Sequence, residues 1–142
     1  MSVPIVGNPL HAADFKKLMG AWTVQQTKTL ALDKALRDAM KRDPEAGETL
    51  LFEVHLQPGQ VTIYQQAVVL LQNPAKYHKM RDGEFVIQVE GELSRFHEIF
   101  RTFRFLVKPG GVLMYLHHSP KPSLFLIQGS AIRGELDDED VM

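Results

Sequence analysis

The chain of 142 residues contains no cysteine. That removes disulfide scaffolds, thiolate catalysis and Cys-ligated zinc or iron–sulfur centres. It has almost no net charge: 16 Lys+Arg against 17 Asp+Glu leave −1. A protein that grips phosphates needs a basic surplus, so the balance argues against nucleic acid as a partner. Long apolar runs are missing too. Stretches such as 68–71 and 112–116 are far shorter than the roughly 20 residues a membrane-crossing helix needs. Residues 1–10 have no basic start and are interrupted by Pro4, Gly7 and Pro9, which makes a poor secretory signal. The expectation is a cytoplasmic protein without a membrane span.

What is present points to β structure. The hydrophobic fraction of 44% suits one globular core, and no linker or repeat divides the chain, so a single domain over 1–142 is expected. Pro58-Gly59, Asp82-Gly83 and Pro109-Gly110-Gly111 supply the fixed and positive φ angles of tight turns, and Ser119-Pro120-Lys121-Pro122 is a further break. Between them, Phe52, Val54 and Leu56 alternate with Glu53, His55 and Gln57. Phe85, Ile87 and Val89 alternate with Glu84, Gln88 and Glu90 in the same way. The segments 61–71, 112–116 and 124–132 are rich in apolar and β-branched residues. Turns this short join antiparallel neighbours, so the pattern predicts a meander.

Two helices are expected near the start. Residues 10–19 place Leu10, Phe15, Leu18 and Met19 on one face, ahead of Gly20. In 30–42, Leu32, Ala35, Leu36, Ala39 and Met40 form an apolar stripe that ends at Asp43-Pro44. Residues 21–29 read as the first strand. The stretch 93–108 has helical spacing through Leu93, Phe96, Phe100 and Phe103. Its aromatic content and the Pro-Gly-Gly turn after it favour a strand that puts His97, Ile99, Arg101, Phe103 and Phe105 on one face. The fold expected is mainly β: about eight antiparallel strands closing into an up-and-down barrel, with a short N-terminal helix and one helix after the first strand. The alternative is an α+β fold in which helices pack on a curved antiparallel sheet.

Gly20-Ala21-Trp22, at the start of the first strand and directly after a short helix, resembles the Gly-x-Trp signature of the calycins, the lipocalins and fatty-acid-binding proteins. The resemblance implies a barrel closed at one end by that helix, with Trp22 packed beneath it and Arg133 of the last strand laid over the indole. A helix directly after the first strand resembles the lid of the fatty-acid-binding branch. The Arg-x-Tyr that holds a fatty-acid carboxylate in that branch is absent.

Candidate chemistry is sparse. No Gly-x-Ser-x-Gly elbow, phosphate loop or dinucleotide fingerprint occurs, and Ser130 has no Asp or His beside it in sequence, so a non-catalytic role is favoured. A barrel of this kind is expected to bind a small hydrophobic or amphipathic ligand inside. Arg101, Tyr64, Tyr115, Phe103 and His97 are the candidate contacts, and Glu53, Glu90 or Glu98 are possible acceptors for Arg101. A filled core would make the chain a protein-interaction module instead, and the α+β alternative would suit a small cone-shaped enzyme. A homodimer is compatible with any of these. No metal site is expected, because adjacent His117 and His118 leave a strand on opposite faces. No cofactor is expected, with axial haem ligation by His117 or His118 as the alternative.

Overall fold

The computed structural model describes residues 8–9, 12–43, 45, 52–117 and 119–132. Arg133 and His118 lie outside these residues, and so do the first two positions of the expected N-terminal helix. In chain order the elements are β1 (Asn8–Pro9), α1 (Ala12–Leu18), β2 (Gly20–Val24), α2 (Gln26–Leu32), α3 (Lys34–Arg42), β3 (Phe52–Gln57), β4 (Gln60–Gln65), β5 (Val68–Arg81), β6 (Glu84–Val89), a 3-10 helix (Arg95–Phe100), β7 (Thr102–Lys108), β8 (Gly111–Leu116) and β9 (Leu124–Gln128). No helix among them is long and apolar enough to cross a membrane.

Strands β2 to β9 pair antiparallel in the spatial order β5-β4-β3-β2-β9-β8-β7-β6, and β6 returns to β5. The expected up-and-down barrel is therefore closed, and the α+β alternative is not the fold. The pair β2–β9 joins the first and last strands of the ring, and β5 completes it by pairing with β4 through Val68–Pro74 and with β6 through Ala75–Arg81. Pro74, which has no N–H to donate, stands where one partner gives way to the other. The short β1 runs along the second half of β5, opposite His78 and Lys79.

Local chemistry moves several boundaries from where the sequence suggests them. The first strand ends at Val24, not at residue 29, because the Gln25 side chain accepts a hydrogen bond from the Lys28 amide and starts α2. The helix expected over 30–42 is two helices. Asp33 ends α2 and caps α3 by accepting from the Leu36 amide, 3.0 Å away. The stretch 61–71 is two strands, joined by Gln66 (φ 52) and Ala67 (φ 63). This turn places two non-glycine residues in the left-handed region, at a cost of about 1–2 kcal/mol each. The strand expected over 93–108 exists only as Thr102–Lys108. Ser94 accepts from the Phe96 amide and starts the 3-10 helix, and Arg101 remains in helical geometry (φ −55, ψ −40).

Alternation along each strand sends Trp22, Val54, Leu56, Ile63, Ile87, Phe103, Phe105 and Met114 inward. The middle of the barrel is solid. Val54, Ile63, Ile87, Phe103, Phe105 and Met114 have 0% exposed surface, and a void wide enough for a water would expose the side chains around it. Trp22, only 7% exposed, seals the end under α1. Its indole N–H donates to the Leu18 carbonyl at 2.9 Å, and its ring meets Phe105 edge-on at 5.8 Å. At the same end Phe15 of α1 packs edge-on against Tyr77. The Tyr77 hydroxyl lies 2.6 Å from the carbonyl oxygens of both Gln57 and Gln60, on either side of the β3–β4 turn. Helix α2 covers the outer face of β9, where Thr29 accepts from the Phe125 amide at 2.9 Å and donates to its carbonyl at 3.3 Å.

Replacing Trp22 by alanine is expected to cost about 3–5 kcal/mol in urea unfolding, and a loss below about 1 kcal/mol contradicts its sealing role. Burial pushes the Tyr77 hydroxyl up to about 12, against about 10 for an unfolded tyrosine. This contribution to stability is whole below pH 10 and is lost as the pH rises through 12. Denaturant titrations across that window should show a steeper alkaline loss in the wild type than in Tyr77→Phe.

Candidate functional site: the mouth of the barrel

The end opposite α1 carries an open cleft above a buried aromatic floor. Helix α3, the β4–β5 turn, the 3-10 helix and the β8–β9 connection surround a cleft of about 470 Å³. Leu36, Phe52, Leu70, Phe100, Leu116 and Leu124 form its apolar walls, and Asp33, Gln65, His97 and Ser123 supply polar groups. Phe52 and Phe100 stack at 5.5 Å with their planes 22° apart and form the floor of the mouth. On the rim Phe96 is 74% exposed and Ile99 48%. Residues three apart eclipse in a 3-10 helix, so these two side chains share one face. The sequence contains that spacing, but it has meaning only once the segment is known to be 3-10 and not strand.

Of the side chains expected to meet a ligand, only His97 lines this cleft. Phe103 is in the packed middle. Tyr64 and Tyr115 point outward, since Ile63 and Met114 beside them point in. The Tyr64 ring lies 4.6 Å from that of His55, and the Arg104 guanidinium sits 4.5 Å over Tyr115. Arg101 does not enter the interior with Phe103 and Phe105. Its guanidinium is held by the Glu98 carboxylate at 3.0 Å and by the carbonyls of Val89 at 3.0 Å and Gly91 at 2.9 Å. It fastens the β6–β7 crossing, and its hydrogen bonds hold the Glu98 carboxyl below the usual range. His117 is exposed in the turn after β8 at φ 50, while His118 lies outside the described residues. No group of three or more His, Asp or Glu among the described residues is placed to hold a metal.

A buried polar cluster lies elsewhere, on the outer face of β3. One oxygen of Glu53 accepts from the Ser130 hydroxyl at 2.7 Å and faces His55 Nε2 at 2.7 Å. The other accepts from the amides of Ala131 at 3.0 Å and Ile132 at 3.2 Å. Serine, carboxylate and imidazole are together here, but in the wrong order for nucleophilic chemistry. The serine proton is directed at the carboxylate and not at the imidazole that would have to accept it. The cluster ties the chain beyond β9 onto the barrel wall. In sequence only His55, two residues on and on the same strand face, stands near Glu53; the other partners come from the far end of the chain.

Comparison with protein-family models, with curated proteins and with solved structures returns no match to this chain. The fold itself is a closed eight-stranded antiparallel barrel, an architecture compatible with a calycin-like pattern.

Glu53→Gln puts an amide N–H₂ among donors and is expected to destabilise the protein by about 3 kcal/mol. Chemical unfolding measures this, and an unchanged midpoint would mean that the tie contributes nothing.

Proposed function

We propose that this protein binds a small apolar or amphipathic ligand in the mouth of the barrel, without catalysing a reaction on it. The observation that carries the reading is the open apolar cleft beneath Phe96 and Ile99, with a stacked Phe52–Phe100 floor and His97 on its wall. Burial of ligand against these walls contributes about 25 cal/mol per Å². Its volume falls within the roughly 300–1,000 Å³ of small-molecule sites. His97, Gln65 and Ser123 orient the polar end of the ligand. The packed middle sets the depth: the ligand occupies the mouth and does not run the length of the barrel.

Calycin membership belongs to this proposal. It is supported by Gly20-x-Trp22 beneath α1, by eight-strand closure, and by a helix pair between the first two barrel strands. The high exposure of Phe96 favours a second reading, in which an apolar segment of a partner protein fills the same cleft.

Native mass spectrometry of protein purified from its own host, with titration of the neutral dye N-phenyl-1-naphthylamine, separates these readings. Retained small molecule, and dye affinity reduced about tenfold or more by Leu36→Asp or Phe96→Asp, is the expected result. A stoichiometric polypeptide in place of a small molecule supports the second reading. Dye binding that both substitutions leave unchanged overturns the mouth as the site.

A further inference from the structure

The α1 end of the barrel carries a second cleft, of about 680 Å³, between α1 and the turns that join β5 to β6 and β7 to β8. Leu18, Trp22, Phe85 and Val112 give it an apolar floor, and Val107, half exposed, extends that surface outward. The walls stay low because the turns carry Gly83 (φ 76) and Gly110 (φ 85), whose positive angles exclude larger residues.

The rim is cationic. Lys16 and Lys17 come from the last turn of α1 and Lys108 from the end of β7. Among the described residues no ion pair involves any of the three. Asp14, the carboxylate among the lining residues, shares Lys79 Nζ (3.1 Å) with Asp82 (3.2 Å), so this trio carries one net negative charge against the three rim lysines and leaves the rim with a cationic surplus. The mouth at the other end differs, since among the described residues no lysine or arginine lines it.

We propose that this cleft is a separate binding site for a single anionic amphiphile, an aliphatic chain ending in a carboxylate. The chain lies along the floor and loses water contact with it. The head sits among three ammonium groups that have no carboxylate of their own among the described residues. Because those ammonium groups remain in contact with solvent, the selectivity for an anion weakens as salt rises.

Trp22 is the single tryptophan of the chain, so its emission reports on this floor without labelling. The probe is dodecanoate, titrated against the intact protein alongside dodecyltrimethylammonium, which has the same chain and the opposite charge. A saturable change in Trp22 emission with dodecanoate and none with the cation is expected. Lys16→Gln/Lys17→Gln/Lys108→Gln should weaken dodecanoate about tenfold with the thermal midpoint unchanged, as fits three solvent-facing side chains. Phe96→Asp, at the opposite end, should leave the titration unaltered. Equal responses to both amphiphiles, an unaffected lysine variant, or dodecanoate bound by mass spectrometry with silent Trp22 would each overturn the proposal.

Discussion

The barrel exists because one strand serves two neighbours in succession. β5 hydrogen-bonds β4 up to Pro74 and β6 from Ala75 onward, and this handover keeps the meander unbroken so that the pairing of β2 with β9 closes it into a ring. A sheet of the same strands without it would present two unpaired edges, each a template for association with another chain. The handover also has a local effect at the mouth. Where β5 serves β4, β6 is not yet beside it, and Asn73 spans the gap by donating to the carbonyls of Glu90 at 2.8 Å and Glu92 at 3.0 Å. The Arg101 clamp and the 3-10 helix bearing Phe96 follow from that gap. The geometry that carries the meander around the barrel also shapes the mouth.

Between the ends, the interior is occupied by its own side chains. Phenylalanines 103 and 105 from a single strand, with Met114, Ile87 and Trp22 around them, fill the axis of a ring of only eight strands. The two ends are therefore chemically independent. One has a stacked aromatic floor with imidazole, amide and hydroxyl groups around it, and the other an indole floor ringed by lysines. A ligand at either is a surface guest with one face buried, not a molecule enclosed in a cavity.

The parts of this arrangement that announce themselves in sequence are those whose causes are short-range. Pro58-Gly59, Asp82-Gly83 and Pro109-Gly110 mark turns by backbone chemistry alone, and the inward alternation of β3 and β6 follows from period two. The turn at Gln66-Ala67 does not announce itself, because both residues occupy conformations that glycine or asparagine would signal, and β4 and β5 merge into one apparent strand. The break inside the helical stripe depends on a single capping aspartate, Asp33, which composition does not distinguish from its exposed neighbours. The site was less legible than the fold. Arg101 looks like an interior cation only if its segment is a strand, and its carboxylate, Glu98, lies three residues away, in reach only within a 3-10 turn. Tyr64 and Tyr115 fall on the outer face by a register of one residue, while His97 reaches the mouth although the strand reading that suggested it fails.

The Glu53 tie also has a meaning in time. β2, near the start of the chain, is paired on one side by β3 and on the other by β9, near its end, so the ring stays open until the last strand has left the ribosome. The donors to Glu53 come later still, at Ser130, Ala131 and Ile132. Until then that carboxylate keeps its water. Its dehydration marks completion: a chain released short of residue 130 lacks all three of these donors and leaves a hydrated anion on a wall that is otherwise dry.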